Sequence, residues 1–541
     1  SYNIQNKLQF SKAFNPDNRL NALLGMELRS STAKGTANKV WGYVPDRGER
    51  IVAPTIPSEV ITPNNPPTGW GILGDIYSRG WQRTDNTNNF LSFFATFAYS
   101  FKNRYVVNAN VRNDASNVFG QDINHRIDPT YSFGLSWRAS EEAFFQKHLK
   151  WITTLNFRGT FGIQGNALTR ESPELILSQQ GVQPGYNRYF STIGQIPNPY
   201  LSWERTRNWN FGVDLELFRM FYMNLEYYTR RSNAVITVDL PFEYGIDDMK
   251  RNGGIIYNRG IEYTLSFTPI QKRDFSLNIN LNASKNWNKG GETKIDRNTA
   301  MYLRGGSTQI LKEGYPLSAF WSYSFAGLDG SNGKPMFNYV EVPDEEKSKS
   351  IDPTTYLVYS GETEPYFTGG LGFSFRYKSL SLNTSFSLLL GSKKRLPSPY
   401  SDFQGSGSMM PDPTKNVNRD LLNRWQKPGD EVYTNIPGLP TWPIEIGWTL
   451  PNTDSAESAI EMWEKSDAMV VSGSFLRCRN IGLSWQMKKE WCDKIHAKNL
   501  AINFNMDNIF VIASKRFNGF DPELENSIMP RSFSLGLNIG F

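Results

Sequence analysis

Histidine occurs three times and cysteine twice in 541 residues, so the side chains that most often carry metal or nucleophile chemistry are nearly missing. His125, His148 and His496 fall in loops or turns and show no ligand spacing such as H-x-x-x-H. They read as surface histidines. Cys478 lies in an extended segment and Cys492 in the turn after it. At ~3.3 Å per residue the two backbones stand some ~30 Å apart, beyond disulfide reach. Both read as free or structural. There is no G-x-S-x-G elbow and no Walker A motif, and no extended segment sets a His beside a Ser. The run Asp329-Gly-Ser331-Asn332-Gly lacks the downstream bidentate Glu of a calcium loop and reads as a plain Gly/Asn turn. These residues lead us to expect no catalytic residue, no metal and no cofactor.

Recognition chemistry remains. Trp41, Tyr43, Trp70, Trp81, Tyr186, Tyr189, Trp321, Tyr323, Trp425, Trp442 and Trp448 lie in Gly-, Pro- and Asn-rich segments. Aromatic rings flanked by Asn, Asp and Arg suit stacking on sugar rings or gripping peptides, and equally suit protein contact. Packing of long loops on one another is the competing reading. The candidate ligand contacts are Trp70, Trp81, Trp321 and Tyr323, with Arg112 and Asp114 as polar partners.

Whatever positions these groups is not a nucleic-acid-binding surface. Lys+Arg 58 against Asp+Glu 52 leaves a formal charge of +6, with acids and bases interspersed and no clustered basic face. Nor is it a helical membrane protein. The mean hydropathy is −0.49, and no run approaches the ~18 apolar residues that a spanning helix needs. A β-barrel escapes that exclusion, because alternating strands average to polar.

Alternation is what the chain shows. Leu91, Phe93, Ala95, Phe97, Tyr99 and Phe101 share one face, then Lys102-Asn103-Arg104 turns into Tyr105, Val107, Ala109 and Val111. Asn108, Asn110, Arg112 and Asp114 point the other way, which predicts a wet face and no packed core there. The unit recurs at Trp209–Leu217 with Met223–Tyr227, at Ile261–Phe267 with Phe275–Leu281, and at Leu371–Phe375 with Leu380–Leu388. It recurs again at Ile481–Met487 with Leu500–Met506, at Tyr2–Phe14 with Leu20–Arg29, and at Tyr131–Trp137 with Ile152–Ile163. We predict an all-β chain of about fifteen antiparallel strands of ~10 to 14 residues. Short turns alternate with long segments at about 31–89, 165–202, 286–365 and 391–471, as in transmembrane barrels with short periplasmic turns and long extracellular loops. Aromatics near strand ends fit interfacial girdles: Tyr99, Phe101, Tyr105, Trp137, Trp151, Tyr227, Tyr228, Tyr263, Trp485 and Phe541. Each could equally be core.

The first strand precedes a short turn and the last follows a long loop, so both run the same way and their number is odd. Closed bacterial barrels have even numbers, so further strands are expected upstream. Ser1 opens in mid-alternation without a signal sequence, which suggests a removed leader or an internal start.

Several motifs, in order, carry a resemblance. They are Phe157-Arg-Gly-Thr-Phe-Gly-Ile-Gln-Gly-Asn166, Trp203-Glu204-Arg-Thr and Asn258-Arg-Gly-Ile-Glu262. Farther on come Asn423-Arg-Trp-Gln-Lys-Pro-Gly429, Phe475-Leu-Arg-Cys-Arg-Asn480, Asn505-Met-Asp-Asn-Ile-Phe510, Gly519-Phe-Asp-Pro-Glu523 and the ending through Phe541. Across essentially all its length the chain resembles the carboxy-terminal part of SusC/RagA-type TonB-dependent transporters of the Bacteroidetes outer membrane. The resemblance implies a barrel of about 22 strands, of which these are about the last 15. It also implies an amino-terminal plug outside this sequence, a SusD-like lipoprotein at the extracellular face and energy from the TonB complex. The cargo implied is an oligosaccharide or, in some members, peptides. A passive porin and a secreted glycan-binding β protein are the alternatives; the last requires the apolar faces to be buried against a second sheet.

Overall fold

The computed structural model describes residues 1–38, 43–44, 50–51, 81–117, 127–166, 174–183, 188–240, 242–246, 248–292, 303–305, 311–338, 353–400, 416–439, 459–524 and 527–541. One antiparallel sheet of fifteen strands, paired in chain order, dominates them. Its members are β1 (Tyr2–Asn15), β2 (Asn18–Asn38), β3 (Trp81–Phe101), β4 (Tyr105–Ser116), β5 (Ile127–Arg138), β6 (Ile152–Asn166), β7 (Glu204–Leu217) and β8 (Phe221–Asp239). Then come β9 (Asp248–Gln271), β10 (Phe275–Gly290), β11 (Phe367–Tyr377), β12 (Leu380–Leu390), β13 (Phe475–Gln486), β14 (Asn499–Ala513) and β15 (Ser532–Gly540). Among the described residues no pairing joins β15 to β1, so the sheet has two free edges.

Connections alternate between two sides. On the narrow side they occupy 16–17, 102–104, 139–151, 218–220, 272–274, 378–379 and 487–498; on the wide side, 39–80, 117–126, 167–203, 240–247, 291–366, 391–474 and 514–531. Lys102, Asn103, Phe218 and Arg219 take positive φ of 51° to 59°, the left-handed geometry that matches hairpin twist. Two narrow-side connections are longer and carry short helices, Ala143–His148 and Lys489–Lys494. Glu142 secures the first. It accepts from the Tyr105 hydroxyl, from Arg104 Nη1 at 3.0 Å and from Trp137 Nε1 at 3.3 Å. The Tyr105 hydrogen bond foremost, with help from Trp137 and Arg104, holds its carboxyl below the ordinary range.

The strands outrun the expected ~10 to 14 residues: β2 and β3 have 21 each and β9 has 24. At ~3.3 Å per residue and a tilt of ~40°, the longest rises about 60 Å, against an apolar band of about 25 Å. The excess lies on the wide side and is polar, so hydropathy misread it as loop. Residues 31–38 of β2 continue in register with 81–88 of β3, with Thr32 Oγ1 3.2 Å from Thr87 Oγ1 and Lys34 Nζ 3.5 Å from Asp85 Oδ2. The expected segment 31–89 therefore contracts to 39–80. Likewise the segment at 165–202 is in part a ladder of Ile176–Gln183 with Arg188–Gln195.

Cross-strand register sorts the side chains by face. One face stacks apolar rows, for example Leu215, Met223, Leu265, Leu281 and Leu371 on consecutive strands. Phe93 is 53% exposed and Leu483 39%, so this face is not the inside of a dry globule. The other sheets among the described residues are two-stranded. The opposite face carries Asn, Ser, Thr, Gly and paired charges. Along the narrow edge the apolar face ends in exposed aromatics, with Phe101 on Tyr105 at 6.3 Å, Trp137 on Phe157 at 5.6 Å and Trp151 on Phe218 at 5.6 Å. Tyr228 departs from the girdle expectation. It lies on the polar face, donating from its hydroxyl to Asn286 Oδ1 at 3.2 Å.

This two-faced arrangement makes neighbouring residues respond oppositely to one charge. Leu265→Arg should cost about 2–4 kcal/mol of folding stability in a bilayer, whereas Thr264→Arg, one residue away on the polar face, should cost little. Urea titration of the protein folded into vesicles measures both; similar losses would contradict the assignment of faces.

Candidate functional site

The polar face and the wide-side loops are where recognition can occur, and the structure distributes the expected contact residues between them. Arg112 on β4 reaches across three strands. Its Nε donates to Asp114 Oδ1 and Oδ2 at 2.8 and 2.9 Å, and its Nη2 donates to Ser92 Oγ at 2.9 Å and Glu27 Oε2 at 3.2 Å. The guanidinium also sits 5.6 Å over the Phe94 ring. That ring lies against Gly25, where a Cβ would come within 2.2 Å of it, so glycine is required beneath Phe94. These groups line a depression of about 760 Å³ on the polar face that continues to Trp203 and Asn208. The structure thus brings Arg112 and Asp114 together as one satisfied ion-pair cluster.

A second cluster was not singled out by sequence reasoning. Arg158 on β6 donates through Nη2 to Asp214 Oδ1 at 3.1 Å and Glu226 Oε1 at 3.0 Å, while Asn156 and Asn224 also donate to Asp214. Its signal was present, since all of these fall at polar positions of alternating strands. Two strands beyond the second cluster the polar face carries an uncharged row. On β10 its successive residues are Ser276, Asn278, Asn280, Asn282, Ser284, Asn286 and Asn288, a row of seven positions occupied only by Ser and Asn.

The aromatic candidates separate. Trp81 opens β3, paired with Asn38. Trp70 lies outside the described residues, as do Trp41, Tyr186, Trp442, Trp448 and His125. Trp321 and Tyr323 are not open stacking platforms: each is 2% exposed, in a core with Leu303, Ala319, Leu357 and Met462. Trp321 packs on Tyr315 at 4.9 Å and Tyr359 at 5.4 Å, and the Tyr323 hydroxyl accepts from Arg304 Nη1 at 2.9 Å. Loop-on-loop packing is the role these two rings fill.

That core belongs to a folded cap made from the two longest connections. Ala319–Tyr323 pairs with Leu357–Glu362 within 291–366, and Lys393–Arg395 pairs with Val470–Ser472 within 391–474. Tyr323 bridges to Ser466 across the two. Arg395, from the second, donates to the carbonyls of Arg304 and Trp321 in the first, at 2.9 and 3.2 Å. Burial, with the nearby Arg304 charge adding to it, brings its pKa down to about 10, which leaves it charged at neutral pH. A second core groups Tyr400, Leu421, Ile460, Trp463 and Met469. Trp425 lies over Gly333 (φ +70°), where a Cβ would meet its ring at 2.3 Å. Its Nε1 donates to Glu431 Oε2 at 3.1 Å. Gly333 closes the Asp329 turn, in which Asp329 accepts from the amide and hydroxyl of Ser331 at 2.8 and 2.7 Å. That geometry is an Asx turn at the place where a plain Gly/Asn turn is expected, and the Ser331 hydrogen bonds keep the Asp329 carboxyl below its ordinary range.

The last wide-side connection is pinned separately. Arg477 on β13, 2% exposed, donates through Nη2 to both carboxylate oxygens of Asp521 at 2.7 Å, and the same nitrogen lies 2.8 Å from Glu523 Oε2. Removing one partner of a buried pair strands the other's charge, a cost of about 3–5 kcal/mol. Arg477→Ala should therefore expose 514–531 to limited proteolysis while the sheet stays protease-resistant. Trp321→Ala, by emptying a core at about 3–5 kcal/mol, should open 291–366 and 391–474 together. Unchanged cleavage patterns would contradict these roles.

Known proteins bear on this architecture. The family model described as "TonB dependent receptor-like, beta-barrel" matches residues 2–386. Among curated relatives, TonB-dependent receptor P26 of Formosa agariphila is 24% identical over 581 residues, covering 100% of this chain and 53% of its own length. TonB-dependent receptor SusC of Bacteroides thetaiotaomicron is 25% identical over 486 residues, covering 84% of this chain and 44% of its own. The chain spans about half the length of the curated relatives it matches. Among solved structures, one described as the RagAB peptide transporter superposes with a TM-score of 0.71 at 20% identity, over 100% of this chain and 55% of its own. With a fifteen-stranded, two-faced antiparallel sheet and a family match over most of its length, the chain belongs to the TonB-dependent receptor β-barrel family, whose SusC- and RagA-like members are outer-membrane barrels.

Proposed function

We propose that this chain forms wall and extracellular loops of an energy-coupled outer-membrane importer of oligosaccharides. A SusD-like lipoprotein caps it, and the TonB complex drives it through a plug. The observation that carries the reading is the uncharged Ser/Asn row of β10, on the polar face of a sheet whose Arg112 and Arg158, several strands away, are already paired with their own carboxylates. Each Asn amide both donates and accepts, as a sugar hydroxyl does. A wall of many such groups offers neutral cargo a series of weak, exchangeable bonds and no deep electrostatic trap.

Arg112 and Asp114 on the wall, with Trp70 and Trp81 at the first wide-side connection, are the proposed cargo contacts. Trp321 and Tyr323 serve by holding the cap in shape. Peptides are the second reading, because asparagine amides match peptide groups as well as hydroxyls, and the RagAB relative is described as a peptide transporter. A passive porin would transport without energy. The exposure of Phe93, Phe211 and Leu483 on the apolar face argues against a secreted adhesin.

Uptake by intact cells tests the proposal. Energy-dependent uptake of labelled oligosaccharides should fall about tenfold in an Asn280→Leu/Asn282→Leu variant, as several hydrogen bonds of about 1 kcal/mol are lost, while surface assembly is retained. Uptake that persists without TonB would favour the porin, and selective loss of peptide uptake would favour the second reading. Undiminished uptake of both cargoes would overturn the role of the row.

A further inference from the structure

The apolar face changes character toward the wide side. One cross-strand row of it reads Phe211, Tyr227, Ile261 and Lys285, the next Trp209, Thr229, Arg259 and Trp287, and the next Arg207, Arg231, Tyr257 and Lys289. Below these rows the same strands are apolar. Arg207 and Arg231 sit directly opposite each other, an arrangement that places like charges about 5 Å apart at Cβ and is destabilising alone. Arg231 lies diagonal to Arg259, and Arg259 diagonal to Lys289. All four are exposed, and among the described residues none forms an ion pair or hydrogen bond. Arg259 and Lys289 line a recess of about 790 Å³ floored by Tyr257 and Trp287, with Glu292 and Glu313 contributed by the loop past Gly290.

Against the four cations the recess sets only Glu292 and Glu313, so the band keeps an excess of positive charge that suits an anionic ligand. Their position, where an apolar band gives way through Trp and Tyr to polar surface, is headgroup height for a membrane barrel. We infer that this basic band binds the phosphorylated headgroup of an anionic lipid in the leaflet on the wide-loop side. Two arginines side by side suit the paired oxygens of one phosphate, and the aromatic floor suits the sugar or glycerol that bears it. The inference rests on the outer-membrane reading but is independent of the cargo.

The test uses the intact protein, purified from outer membranes and placed in phosphatidylcholine nanodiscs doped with lipid A or dephosphorylated lipid A. Bound lipid is counted by native mass spectrometry. Wild type should retain phosphorylated lipid A at least about fivefold better than Arg231→Gln/Arg259→Gln, with no difference for the dephosphorylated form. Arg231→Lys/Arg259→Lys should keep most of the retention, and supplies the comparison if the Gln pair does not assemble. Equal retention by wild type and the Gln pair, indifference to the phosphates, or displacement by millimolar inorganic phosphate would overturn the inference alone. Failure of wild type to enter a bilayer would overturn it together with the membrane reading.

Discussion

A backbone amide in hydrocarbon has no partner except a neighbouring strand, and that requirement organises everything else in this chain. It explains why consecutive strands pair without a crossover from β1 to β15, since any skipped neighbour would leave a ladder unpaired. It also makes side-chain direction a matter of parity. Once Leu265 faces one way, Thr264 must face the other, and the register carries that choice strand by strand to Leu371 and beyond. The polar wall is thus a consequence of the apolar one.

The same parity made much of the fold legible in the sequence. The pairing of Leu483 with Phe504 and of Ile481 with Met506 could be read from alternation alone, and it is the pairing observed. Alternation fails where both faces are wet. Residues 82–89 are polar on both sides, so they resemble a loop, although they extend β3 in register with β2. Tyr228 was misplaced because an aromatic near polar neighbours gives no parity signal of its own; Gly260, which leaves room for its ring, was the missing clue.

The loops were less legible, for a different reason. Aromatic residues in Gly/Pro-rich segments look the same whether they await a ligand or one another. Trp321 and Tyr323 acquire their burial from Leu357 and Met462, which are distant in the chain. Single-sequence periodicity has no access to contacts of that span. The Arg477–Asp521 pair is likewise invisible to local reading, yet it gives a physical reason for the Arg of the Phe475–Asn480 motif and the acids of the Gly519–Glu523 motif. The two motifs are opposite halves of one clasp.

The bridge from Tyr323 to Ser466 and the reach of Arg395 back to the Arg304 and Trp321 carbonyls bear on how such proteins diversify. Two insertions that share one interior cannot drift independently. Grafting either alone onto a sister barrel would leave half an interface without its mate, so specificity carried by this region must be inherited, exchanged or redesigned as a pair.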